Sequence, residues 1–194
     1  MESRIAAAVL IGGRSTRMGS PKEDMVIPDD GRTFLERICD EVDLCSDREI
    51  YARYLSVRKG QAKSREGWTT ITDEYDDIGP LGGLTALLER AGEDGADALL
   101  LLACDMIKYN AHEISRICSA YKGQDILFAR TGKRDVQPLA SIYRVSVLEH
   151  AKVLAKEGIY RMRALADDTL NVGYFDSDNE EAYLNINTPV NRSD

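Results

Sequence analysis

The feature that most constrains the fold lies near the start, where an unbroken apolar run, Ile5 to Ile11, stops dead in Gly12-Gly13. A run this short, with no polar alternation, predicts a strand buried on both faces. That situation is ordinary only in a parallel sheet covered by helices. The segment that follows, Arg14-Ser15-Thr16-Arg17-Met18-Gly19-Ser20-Pro21-Lys22, joins glycine to hydroxyls and three cations. A loop at the end of a parallel strand presents backbone N–H groups, and with cations around it such a loop suits phosphate. An ordinary glycine-rich turn would need the glycines but not the convergence of Arg14, Arg17 and Lys22. Five residues separate Gly13 from Gly19 and Ser20-Pro21 precede Lys22, so neither the Walker A nor the Rossmann triple-glycine spacing is met.

The rest of the chain repeats the theme of strand then helix. Thr33 with Glu36 predicts a capping box ahead of Phe34, Leu35, Ile38 and Val42 at helical spacing. Residues 49–55 and 68–72 read as a second and a third strand, joined by a polar surface loop. Gly79-Pro80 then opens a helix carrying Leu84, Leu87, Leu88 and Ala91. Ala96 to Ala103 is the most apolar stretch and ends in Cys104-Asp105, which puts a carboxylate at the C-terminal tip of a buried strand. Further on come a helix from about Asn110 to Tyr121, a strand over 125–129, a charged turn over 131–135 and an extended stretch over 138–143. Helices over 145–156 and 159–165 and an edge strand over 172–175 complete the order. This alternation predicts one three-layer α/β/α domain over residues 1–194, with a mostly parallel sheet. The tail, Tyr183 to Pro189, alternates apolar residues with Asn185 and Asn187, which predicts docking onto the body.

Composition narrows the partner. A net charge of −8 argues against nucleic acid, which needs a positive stripe. The four cysteines form no C-x-x-C pair and there are only two histidines, so the spacings of a zinc site or a disulfide framework are missing. No apolar run approaches the roughly 20 residues of a membrane span, and we expect neither export signal nor anchor, hence a cytoplasmic protein with a small partner.

Asp105 at a strand tip is as often a turn cap as a ligand. Beside a phosphate loop it becomes the natural partner of Mg²⁺, which takes one or two carboxylates together with phosphate oxygens and water. Read singly, Asp73, Asp76 and Asp77 form a solvated acidic turn, but a carboxylate is also the group that can accept the paired N–H donors of a guanine edge. Lys133 and Arg134 are a charged hairpin tip, or the place where an anionic second substrate docks. His112 and His150 fall outside every motif.

The string Leu10 to Lys22 resembles the L-A-G-G-x-S-x-R-M-G-x-x-K signature of molybdenum cofactor guanylyltransferases, which are nucleotidyltransferases of a Rossmann-like, GT-A-like fold. Gly79-Pro80-Leu81-Gly82-Gly83 is similar to their G-P-L-x-G, and Cys104-Asp105-Met106, Arg134-Asp135 to Pro138 and Asn185 to Pro189 follow in the family's order. The resemblance implies transfer of GMP from Mg²⁺-bound GTP to the terminal phosphate of molybdopterin, with a molybdoenzyme or its chaperone receiving the product. It implies that Leu10, Ile11, Gly12 and Gly13 hold guanine and ribose, that Arg17 and Lys22 hold the triphosphate, and that Asp73 selects the base. Gly79, Pro80, Leu81 and Gly82 would complete the base pocket and Asp105 would bind Mg²⁺. Asn185 or Asn187 would lie near the metal or the incoming cofactor, with Lys133 and Arg134 on the acceptor side. The sequence departs from the pattern at Ile107-Lys108-Tyr109, where the family has proline and an aromatic residue. A different phosphorylated acceptor (a cobinamide phosphate, sugar phosphate or phospho-acid), cytidylyl transfer, or a non-catalytic binder that delivers cofactor are the competing readings.

Overall fold

The computed structural model describes residues 3–11, 21–46, 48–75, 78–132 and 135–186. Seven strands, β1 (Ile5–Leu10), β2 (Arg53–Arg58), β3 (Thr69–Asp73), β4 (Ala98–Ala103), β5 (Ile126–Thr131), β6 (Asp135–Arg144) and β7 (Val172–Ser177), form one sheet. Their order is β3-β2-β1-β4-β6-β5-β7. Every neighbouring pair is parallel except the two that involve β6, which runs against both β4 and β5. The extended stretch expected over 138–143 therefore belongs to the one reversed strand among the described residues, which lies antiparallel to β5, the strand before it in the chain.

Among the described residues four α-helices cover the sheet: α1 (Phe34–Asp43), α2 (Pro80–Glu93), α3 (Ala111–Ala120) and α4 (Leu148–Lys156). On one face Ile38, Cys39 and Val42 of α1 and Ile114 and Ile117 of α3 pack against Ala7, Val9, Leu100 and Leu102. On the other, Leu84, Leu87, Leu88 and Ala91 of α2 and Ala151 and Leu154 of α4 pack against Ala6, Ala8, Leu99 and Leu101. Consecutive residues of β1 and β4 thus feed opposite cores, which is why both strands are apolar without alternation. The expected three layers are present.

Local signals act as expected at the helix starts. The Thr33 hydroxyl accepts from the Glu36 amide while the Glu36 carboxylate accepts from the Thr33 amide at 2.7 Å, closing the capping box. Asn110 caps α3 through the Glu113 amide. Gly79, at φ 70°, makes the turn into α2 that only glycine adopts without strain, and Pro80 occupies the first helical position.

The main correction concerns the second strand. The sequence reading put it at 49–55, yet Ile50 is buried before the strand begins, and the ladder with β1 pairs Ala7 to Leu10 with Arg53 to Ser56. Because β2 starts later, its C-terminal tip is Ser56 to Arg58, and Gly60 at φ 81° turns the chain away. The helix expected over 159–165 is a single 3₁₀ turn, Met162–Leu165.

Candidate functional site

A cavity of about 520 Å³ opens over the C-terminal ends of β1, β2, β3 and β4, a size ordinary for a small-molecule site. It lies where the chain leaves β1 toward β2 on one side and β4 on the other. At such a switch point the connections part and leave a crevice. Strand by strand, its wall is built from Asp73 at the tip of β3, Arg58 and Lys59 at β2, Leu10 and Ile11 at β1, and Ala103, Cys104 and Asp105 at β4. Gly79, Pro80 and Gly83 of the α2 start close one side, and Lys22 and Asn185 close the other. Three inter-strand spacings separate Asp73 from Asp105, or about 14 Å. The crevice is therefore a trough with a carboxylate at each end and cations between.

The β3 end is closely packed. The Asp73 carboxylate accepts from the Tyr75 amide at 2.9 Å. A Cβ built on Gly82 would meet both Asp73 carboxylate oxygens and the Tyr75 Cβ at 2.9 Å, and one on Gly83 would meet Leu10 Cδ2 at 2.6 Å. These two glycines let the first turn of α2 lie directly on the strand tips. Arg58 faces Asp73 in register on the neighbouring strand, which brings a guanidinium and a carboxylate to the same end of the trough.

At the β4 end Lys22 Nζ stands 2.9 Å from Asp105 Oδ2, both side chains being mostly buried. The Asp105 carbonyl accepts from the Ile186 amide at 3.0 Å, which docks the tail as the sequence suggested. Burial, and after it the charges of Asp105 and Glu23, push the Cys104 thiol beside it up. Among the described residues no three His, Cys, Asp or Glu side chains gather into a metal cage. A lone hard carboxylate at the rim of a cationic trough instead fits Mg²⁺ that arrives with phosphate oxygens and keeps its waters.

Of the residues singled out from sequence, Leu10, Ile11, Lys22, Asp73, Gly79, Pro80, Asp105 and Asn185 meet in this one cavity. Gly82 sits behind Asp73 rather than on the wall, and Leu81 is wholly buried in the core between α2 and the sheet. Gly12, Gly13, Arg17, Lys133, Arg134 and Asn187 lie outside the described residues. The sequence reading missed Ser56, Val57, Arg58 and Lys59, which line the cavity only because β2 extends past Leu55. The signal was present in Leu55-Ser56-Val57-Arg58 continuing to Gly60.

Among the described residues, a mostly parallel sheet with one reversed strand carries this cavity and its two carboxylates at the strand tips, and the matches below make the protein a nucleotidyltransferase. Residues 7–172 match the MobA-like NTP transferase domain, and the chain belongs to that family. It is similar to the molybdenum cofactor guanylyltransferase of Shewanella baltica, at 27% identity over 193 residues, covering 97% of this chain and 94% of the relative. It is also similar to the probable molybdenum cofactor guanylyltransferase of Opitutus terrae, at 30% identity over 159 residues, 80% of this chain and 74% of that one. The fold matches the solved structure of molybdopterin-guanine dinucleotide biosynthesis protein A from Archaeoglobus fulgidus with a TM-score of 0.75 at 21% identity, covering 95% and 93% of the two chains. It also matches 2-C-methyl-D-erythritol 4-phosphate cytidylyltransferase from Thermus thermophilus, with a TM-score of 0.65 at 12% identity, covering 94% and 92%.

Proposed function

We propose that the protein transfers GMP from Mg²⁺-bound GTP to the terminal phosphate of molybdopterin, in its free or molybdenum form, releasing pyrophosphate. The observation that carries this reading is the trough itself, with Asp73 and Asp105 at its two ends and Lys22 beside Asp105. The names of the relatives support molybdopterin as the acceptor.

In this reading the Asp73 carboxylate accepts the N1 and N2 protons of guanine, a pair that cytosine and uracil do not offer. Leu10, Ile11 and the α2 start enclose the base and ribose. The triphosphate then runs toward β4, where Lys22 exchanges its contact with Asp105 for one with phosphate oxygens. Asp105 holds the Mg²⁺ that GTP brings, and that ion supplies charge neutralisation at the reacting phosphates. A phosphate oxygen of molybdopterin bonds to the α-phosphorus of GTP while the bond from that phosphorus to the bridging oxygen breaks, and the electron pair leaves with pyrophosphate. A phosphate nucleophile is already ionised, so no general base is required. The work of the site is to align the reactants and offset their repulsion. The reaction takes place in the cytoplasm, and the product passes to a molybdoenzyme or its chaperone.

The test is to incubate the protein with Mg²⁺, molybdopterin and each nucleoside triphosphate in turn and to follow pyrophosphate. GTP alone is expected to support release. Release with CTP and not with GTP would overturn the base assignment, and release with neither would favour a binder that does not turn over. Release with GTP only when another phosphorylated acceptor is supplied would overturn the acceptor.

A further inference from the structure

One buried acid stands outside the trough and is not used by the chemistry above. Glu113, in the first turn of α3, is completely buried. Its Oε2 accepts hydrogen bonds from the Ser177 hydroxyl at 2.8 Å and the Tyr183 hydroxyl at 3.0 Å. Its Oε1 pairs with Arg116 at 2.7 Å, and Arg116 reaches on to Asp178 at 2.8 Å. Burying a carboxylate is costly, and an apolar residue packed there would commonly be no less stable, so the network points to a demand for one defined arrangement.

That arrangement concerns the arm from Ser177 to Ile186. The arm leaves the sheet at the end of β7 and makes the 3₁₀ turn Glu180–Tyr183, so that Ser177 at its start and Tyr183 at the end of the turn donate to the same oxygen of Glu113. The Tyr183 ring is set edge-on against the buried Tyr109 ring, with centroids 5.2 Å apart. Asn179 caps the turn through the Ala182 amide. Two residues beyond Tyr183 lies Asn185, on the cavity wall, and the next residue, Ile186, donates its amide to the Asp105 carbonyl. With Tyr183 fixed, only two residues of freedom separate the arm from Asp105.

We propose that Glu113, Ser177 and Tyr183 form a buried clamp that holds the Ile186 amide on Asp105 and Asn185 at the β4 end of the trough. Its three members are positioning residues for the site. The effect on catalysis rests on the reading of the trough as a nucleotidyl-transfer site; the effect on the arm does not. Tyr183→Phe removes one hydroxyl and keeps the ring on Tyr109, so the fold is retained. Hydrogen–deuterium exchange at Ile186 is expected to quicken at least tenfold in Tyr183→Phe, with the amides of β1 and α2 unchanged. In the pyrophosphate assay the Mg²⁺ concentration for half-maximal rate should rise threefold or more, while KM for GTP at saturating Mg²⁺ stays within twofold. Glu113→Gln keeps one acceptor oxygen for the two hydroxyls but turns an NH2 donor toward Arg116, so it should quicken exchange at Ile186 less than Glu113→Ala does. Unchanged exchange at Ile186 in Tyr183→Phe and Glu113→Ala overturns the clamp. Faster exchange with an unchanged Mg²⁺ dependence overturns its role in positioning. If the wild type transfers no nucleotide at all, the functional reading fails on its own account, and the exchange result still decides whether the clamp exists.

Discussion

Gly82→Ala replaces one hydrogen by a methyl group directly behind Asp73. The new Cβ would lie 2.9 Å from both carboxylate oxygens of Asp73 and from the Tyr75 Cβ, where an unstrained C···O contact needs about 3.3–3.6 Å. About half an ångström of movement is therefore required. Asp73 cannot simply swing aside, since its Oδ1 holds the Tyr75 amide at 2.9 Å. Overpacking of this kind costs about 1–3 kcal/mol, against at most about 1 kcal/mol gained by replacing glycine with alanine inside a helix. The net is a loss of up to about 2 kcal/mol, which for a chain of this size is a fall in Tm of up to about 8 °C. If Asp73 reads the base, its displacement forfeits charge-assisted hydrogen bonds worth about 1.5–3 kcal/mol, or a GTP Kd about 10- to 150-fold weaker. Thermal unfolding followed through Trp68, the only tryptophan, together with calorimetric titration of GTP, measures both. A higher Tm would refute the close approach. A lower Tm with unchanged affinity would refute only the role.

Asp105→Ala should lower kcat about 30- to 900-fold, the size of about 2–4 kcal/mol of lost electrostatic stabilisation at the reacting phosphates; near wild-type turnover at saturating Mg²⁺ would end the metal assignment. Stability should fall on the acid side through Glu36, whose carboxyl is held below the ordinary glutamate range by the Thr33 amide and hydroxyl. A depressed carboxylate contributes stability fully above about pH 4.3, and the contribution is lost as the pH drops through the lower folded value. For so exposed a cap it is about 0.5 kcal/mol. Urea unfolding at pH 7 and pH 3 should show a smaller pH effect in Glu36→Gln than in wild type, and an identical difference would remove Glu36 from the account.

Much of this protein was legible in the chain because the relevant signals are local. An apolar run ending in Gly12-Gly13, the box formed by Thr33 and Glu36, and Gly79-Pro80 each report on a few consecutive residues. The periods of their neighbours then dictate a covered parallel sheet. Asp105 was legible for a similar reason: the run before it is too apolar to be anything but buried, so its end must be a strand tip. Even the docking of the tail was implied by Tyr183 and Ile186, apolar residues with nowhere to go but the body.

What failed or stayed hidden depended on register and on contacts across the chain. Ile50 and Tyr54 are both buried, so hydrophobicity alone could not say that β2 begins at Arg53, and only its ladder with β1 carries Arg58 and Lys59 to the cavity. Leu81 stands inside a glycine motif yet belongs to the core, because the first turn of α2 presents Gly82 and Gly83 to the strand tips and buries Leu81. The clamp at Glu113 joins residues 64 and 70 positions apart, beyond the reach of any pattern of spacing. Sequence by itself determined the layers and the tips of β1 and β4, since these follow from burial and backbone propensity. Only the tertiary structure decided which side chains share the trough and what holds the arm against Asp105, since these follow from sheet register and from a buried polar network closed between distant segments.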